Sequence, residues 1–200
     1  MSRIVEAEFH SYALSEDAIL SDSLVLSGEL TTVESLLLQA VVTHHDKVLD
    51  GNVVLTLEPA WLAIQAALAK DPDLLRSLTP RQWEELVAAS YDKAGYDEVI
   101  LTPRSADLGR DVIAIKKGWG SVRIIDQVKA LSPDRHVTAN DVRALIGVMC
   151  SDHQATKGVV TTTASFAPRI AEDPMIAPHM PYRLELVDGA TLFDRLKSLK

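Results

Sequence analysis

The chain has 200 residues, 47% hydrophobic and 24% charged, which is the make-up of a soluble globular protein of one domain or little more. No apolar run approaches the roughly 18 residues needed to cross a bilayer, and Met1-Ser2-Arg3-Ile4-Val5-Glu6 has no secretion-signal core, so a cytoplasmic protein with no membrane partner is expected. The net charge of −8 is carried entirely by residues 1–78, which hold four Lys/Arg against twelve Asp/Glu, while the remainder is balanced. That asymmetry predicts an acidic N-terminal region, residues 1–70, with a different job from residues 71–200.

In residues 1–58 short apolar runs alternate with turn residues. Ser23–Ser27, Val41–Thr43 and Asn52–Leu57 read as strands, and Leu36-Leu37-Leu38 as strand or helix. His44-His45-Asp46 has no further ligand at metal-site spacing and reads as a surface turn. Pro59 opens a helix over Ala60–Lys70, closed by Asp71-Pro72-Asp73. The N-terminal region is thus expected to be small and α+β.

Thr79-Pro80 is a helix start, a capping hydroxyl followed by proline at the first helical position, and Gly95 ends that helix. Glu84 shares a stripe with Val87, Ala88 and Tyr91, so it lies further inward than Glu85. Val99–Thr102 reads as a strand and Pro103–Gly109 as a polar loop. Two apolar strands follow, Asp111–Ile115 and Val122–Lys129, joined by Gly118-Trp119-Gly120. Thr138 caps the next helix, which contains Cys150, read as a buried reduced thiol. Gly158–Thr163 is a β-branched strand, Phe166–Glu172 a short helix, Pro174–Pro181 a loop, Arg183–Val187 a strand and Ala190–Leu199 a last helix. This order predicts an α/β fold with a mixed central β-sheet flanked by helices.

The hairpin carries the chemistry. Strand side chains alternate, so Gln127 and Lys129 share a face. With the turn centred on Trp119, Asp111 falls opposite Gln127. A carboxylate, an amide oxygen and an ammonium then meet at one sheet edge, an arrangement able to hold a hard cation beside a reactive water.

Residues 71–196 resemble the Mrr-type restriction endonuclease domain, within the wider PD-(D/E)xK nuclease fold. The stretches that carry the resemblance are Leu78-Thr79-Pro80-Arg81-Gln82-Trp83-Glu84-Glu85-Leu86-Val87, Gly109-Arg110-Asp111, Gln127-Val128-Lys129, Gly158–Phe166 and Leu186–Leu192. The resemblance implies a Mg²⁺-dependent endonuclease (Mn²⁺ substituting) that hydrolyses DNA in restriction or defence. It implies Asp111 as metal carboxylate, Gln127 in place of the fold's second acid, and Lys129 as the lysine that positions or activates water. Glu84 would be a helix acid reaching the metal directly or through water, and Asp107 a loop acid of uncertain role. Arg110, Thr162, Thr163 and Ser165 would contact nucleic acid; the same hydroxyls read equally well as a strand end that caps the next helix. Leu108 and Ala130-Leu131 depart from the family pattern, which implies a stiffer loop and weaker substrate grip. Cutting both strands implies a homodimer or larger assembly, with residues 1–70 in assembly, regulation or target sensing. The other readings are a nuclease-fold module that binds without cutting and a junction-resolving nuclease.

Overall fold

A computed structural model describes residues 41–48 (backbone only), 51–71, 75, 77–103 and 109–199. Asp107, Ser23–Ser27 and Leu36-Leu37-Leu38 lie outside the described residues.

The elements in chain order are β1 (Val41–Val48), β2 (Gly51–Thr56), α1 (Glu58–Lys70), α2 (Pro80–Lys93), β3 (Glu98–Leu101), β4 (Val112–Lys116) and β5 (Val122–Lys129). Then come β6 (His136–Val137), α3 (Ala139–Ser151), β7 (Lys157–Thr162), β8 (Ser165–Phe166), β9 (Leu184–Val187) and α4 (Gly189–Ser198). Local chemistry sets the helix starts. Thr79 and Thr138 each close a reciprocal capping box, with Gln82 and Asp141 respectively, and Asp188 accepts from the Thr191 amide. Gly95 follows α2 at φ 83°, a left-handed position that a side chain would strain.

Seven strands form one sheet in the order β1-β2-β3-β4-β5-β7-β9. Neighbours from β1 to β5 are antiparallel, and β5–β7 and β7–β9 are parallel, so the sheet is mixed, as expected. β1 and β2, from the acidic region, extend this same sheet through β2–β3 pairing.

Side-chain alternation divides the core in two. Leu101, Val112, Ala114, Ile124 and Val159 face α1, α2 and α4. Ile100, Ile113, Ile125 and Val160 face α3 through Val142, Leu145 and Met149. The central strands are therefore apolar on both faces, which anchors their register.

Three readings are corrected. Phe166–Glu172 is not a helix: β8 pairs in parallel with β6, and only Ile170–Glu172 makes a tight 3₁₀ turn. Pro168 keeps Ala167 extended, so a helix cannot run through it. Cys150 is exposed rather than buried, because it sits one residue round α3 from the inward Met149. His44-His45-Asp46 lies within β1, where the register with β2 slips between His44 and Lys47, and is not a turn.

Candidate active site

The β4–β5 ladder pairs Val112 with Asp126, Ile113 with Ile125 and Lys116 with Val122, a register centred on Trp119. Asp111, one residue before Val112, donates its N–H to the Asp126 carbonyl at 2.9 Å and so faces Gln127 across the ladder. Its carboxylate Oδ2 accepts from the Val128 amide at 2.7 Å. That bond fixes the side chain against β5 between Gln127 and Lys129. Beside it, the Gln127 Oε1 is buried with no hydrogen-bond partner among the described residues. A buried oxygen acceptor without a donor is costly in a finished fold. An amide oxygen next to a carboxylate matches the hard-oxygen donor set of a divalent cation such as Mg²⁺, so these residues fit one. Gly109, at φ 78°, brings backbone over this point: a β-carbon there would press on Val148 and lie 3.8 Å from the Gln127 Nε2.

Lys129 closes β5 on the same face as Gln127. Its Nζ lies 3.7 Å from the Asp141 Oδ1 in the first turn of α3. Burial pushes the Asp141 carboxyl up, but the Thr138 hydroxyl and amide and the Lys129 charge outweigh it and hold the group below the usual carboxylate range. Asp141 thus stays ionised and holds the lysine at the strand end. Sequence reading missed this partner, although a Thr-x-x-Asp cap just after the strand was visible.

Glu84 does not touch Asp111 or Gln127. It lies on α2, which packs on the other face of the sheet, and pairs with Arg81 at 2.8 Å. Arg81 also donates to the Thr102 carbonyl at 2.9 Å, the Thr102 N–H donates to the Asp111 carbonyl at 3.1 Å, and the Thr102 hydroxyl donates to the Arg110 carbonyl. Glu84, at 18% side-chain exposure, therefore stands at the same sheet end as Asp111, linked through Arg81 and Thr102. No group of three or more His, Cys, Asp or Glu able to hold a metal occurs among the described residues.

The residues expected to contact nucleic acid hydrogen-bond within the fold. Thr162 is 0% exposed and its hydroxyl donates to the Lys129 carbonyl. Thr163 exchanges hydrogen bonds with the backbone of Leu131, and Ser165 Oγ lies 2.7 Å from the His136 Nδ1. These hydroxyls clamp the end of β5 and its following loop onto β7 and β8. Each hydroxyl is engaged by the neighbouring segment, and Ser165 begins β8 rather than capping a helix. Arg110 is likewise turned inward, bridging to Asp152 at 3.2 Å beside the buried Arg123.

Asp126 was overlooked. It sits on the opposite face of β5 from Gln127 and is 1% exposed. Its Oδ2 accepts from the Tyr91 and Thr161 hydroxyls, both at 2.9 Å. Burial pushes its carboxyl up to about 7, with the nearby Asp111 charge adding and the two hydroxyls opposing. Burial, then Asp126 itself, raise the Tyr91 hydroxyl well above its ordinary value. The available signal was a lone carboxylate inside the apolar run Ile124-Ile125-Asp126.

The chain is similar to the MspJI restriction endonuclease in complex with a 27-mer oligonucleotide, at 20% identity and a TM-score of 0.45, over 72% of this chain and 32% of that one. It is also similar to the DNA modification-dependent restriction endonuclease AspBHI, at 18% identity and a TM-score of 0.43, over 72% of this chain and 36% of that one. The chain spans about a third of the length of these structures. No curated protein matches it. The Mrr catalytic domain, described as restriction endonuclease, matches residues 75–196, which include Glu84, Asp111, Gln127 and Lys129. With most of its length matched, this chain belongs to the Mrr-type restriction endonuclease family.

Proposed function

We propose that the chain is a divalent-metal-dependent endonuclease that hydrolyses DNA phosphodiester bonds in restriction or defence, with Mg²⁺ as the ion and Mn²⁺ able to substitute. The observation that carries this reading is the placing of Asp111, Lys129 and the Gln127 Oε1, which has no hydrogen-bond partner among the described residues, on one face at the end of β4 and β5. A divalent cation bound there would relieve the charge developing on the phosphate and favour ionisation of a water.

The side chains divide the work. Asp111 supplies the anionic oxygen, and its bond to the Val128 amide keeps that carboxylate oriented. Gln127 adds a neutral oxygen, so the site carries less negative charge facing the phosphate than two acids would. Lys129 orients the attacking water and offsets charge on the phosphate. Its Nζ lies 3.7 Å from the Asp141 Oδ1, which holds it at the strand end, and in this role it hydrogen-bonds to the water. Glu84 acts through water, consistent with its distance from Asp111 in the bonding chain.

DNA is the proposed partner. Two sites are needed to cut both strands, so a homodimer or larger assembly is proposed, with residues 1–70 in assembly, regulation or target sensing. Their acidity supports that division, since an acidic surface repels DNA. No helix among the described residues is long and apolar enough to cross a membrane, and a cytoplasmic site of action is part of the proposal.

The Lys129–Asp141 pair favours a second reading, a nuclease fold that binds without cutting, because it engages the ammonium that hydrolysis would use. Incubation with supercoiled plasmid, methylated plasmid, branched DNA and RNA, each with Mg²⁺, Mn²⁺ or EDTA, separates them. Metal-dependent nicking of plasmid is the expected result. A preference for branched DNA points to junction resolution, and binding with no cleavage of any substrate selects the second reading.

A further inference from the structure

Behind the strand that carries Gln127 and Lys129, on the opposite face of the sheet, a cavity of about 210 Å³ opens between α2, α4 and β5, β7 and β9. Its polar floor is Asp126, which is 1% exposed. The Tyr91 and Thr161 hydroxyls both donate to one oxygen of this carboxyl, Oδ2. The other, Oδ1, has no hydrogen-bond partner among the described residues. Two donors thus converge on one oxygen while its twin, equally buried, is unmet. A polar group so placed calls for a partner that enters the cavity.

The walls set the character of that partner. Leu192 is apolar, and Tyr91 and Tyr96 stand edge to face with ring centroids 5.2 Å apart, presenting aromatic surface. Arg195 at the wall is engaged by Glu185, which also holds Lys157, so its charge is already answered. The unanswered group is the Asp126 acceptor. The volume lies below the roughly 300 Å³ at which drug-sized pockets begin, which suits one ring rather than two.

We propose that this cavity is a binding site for a small planar ligand with one aromatic ring and an amidine-type N–H edge. The ring lies against Tyr91, Tyr96 and Leu192, and the N–H donor meets the Asp126 Oδ1. The site is wired to the nuclease face through the backbone, because the Asp126 carbonyl accepts the Asp111 N–H at 2.9 Å and the next residue is Gln127. An occupant therefore acts on the strand that carries the candidate active site. This regulatory half rests on the nuclease reading, whereas binding itself does not.

Benzamidine is the probe and benzoate its control, titrated into the full chain at about pH 8.5, where the Asp126 carboxyl is ionised and Oδ1 accepts, and followed by two-dimensional NMR. Benzamidine is expected to bind saturably in the millimolar range, moving the amides of Tyr91, Asp126 and Thr161 and leaving exposed Trp119 unmoved. Benzoate, with the same ring but no donor, is expected to leave those amides in place. Ser198 lines the cavity and is exposed on α4, so Ser198→Trp fills the mouth while the fold and the basal cleavage rate stay unchanged; its affinity for benzamidine should fall about tenfold or more. The proposal is overturned by no saturable shift up to about 20 mM, by equal binding of benzoate, or by undiminished binding in Ser198→Trp. Plasmid cleavage in the same samples keeps the two readings apart. Binding without any cleavage at any metal refutes the nuclease and leaves the pocket standing, and cleavage without binding does the reverse.

Discussion

Gln127 and Asp126 are adjacent in sequence and point to opposite faces of β5, and each keeps one buried oxygen that no described residue answers. On the front face the unmet oxygen is a neutral amide beside the Asp111 carboxylate. A second carboxylate there would attract a cation more strongly. Gln127→Glu is therefore expected to keep cleavage and lower the Mg²⁺ concentration for half-maximal rate, while Gln127→Leu loses cleavage; a metal titration of rates reads both. On the back face the consequence is one of stability. The Asp126 carboxyl is held up at about 7, above the ~3.9 of an aspartate in an unfolded chain. The folded chain then keeps a proton that the unfolded chain gives up. The stability from this group is complete below about pH 4 and is lost as pH rises through about 7. Asp126→Asn cannot ionise, so in EDTA the melting temperature of the wild type should gain on the variant between about pH 8 and pH 5. A constant difference would show that Asp126 does not titrate in this range.

At the scale of elements, the β4–β5 hairpin shows what local sequence can specify. Gly118 and Gly120 bracket the turn and two apolar strands flank it, so the register around Trp119 followed from the residues alone, and with it the pairing of Asp111 with Gln127. The caps at Thr79 and Thr138 were legible for the same reason, since a capping box closes within four residues. Contacts made across the chain were not legible. Thr162 and Thr163 read as phosphate-facing or helix-capping hydroxyls, and only β7 lying beside β5 shows their bonds to Lys129 and Leu131. Asp141, in the helix that Thr138 caps, becomes the partner of Lys129 only when α3 folds back over the sheet. Glu84 read as an inward acid, and its stripe was right, but only the packing of α2 on the far face turned it to Arg81. The start of α4 gives a test at this scale. A β-carbon on Gly189 would meet the Thr163 carbonyl, which is backbone at the β7 end. Gly189→Ala should therefore cost about 1–3 kcal/mol and lower the melting temperature by several degrees. An unchanged melting temperature would mean that this approach is loose.

Across the whole molecule, one seven-stranded mixed sheet carries two chemically distinct faces. α3 covers the face with Gln127 and Lys129, and α1, α2 and α4 cover the face with Asp126. The front of the sheet end is where hydrolysis is proposed, and the back is where a ligand can report on it. The fold class was legible because helices and strands alternate from residue 79 onward. The joining of β1 and β2 to that sheet was not, because β2–β3 pairing spans residues with no local signal for each other. The acidic surplus of residues 1–78 is a property of the whole chain, since residues 79–200 are balanced in charge.

Metal-dependent hydrolysis at Asp111 and Lys129 is tested most directly by the single-turnover cleavage rate of supercoiled plasmid in Mg²⁺, compared among the wild type, Asp111→Asn and Lys129→Ala, with melting temperatures recorded on the same preparations. Asp111→Asn can still accept from the Val128 amide but loses the charge, and Lys129→Ala removes an ammonium whose exposure is intermediate. The wild type is expected to cleave, both variants to lose cleavage, and all three to melt within a few degrees of one another. Full cleavage by either variant at an unchanged melting temperature would overturn the assignment of Asp111 and Lys129.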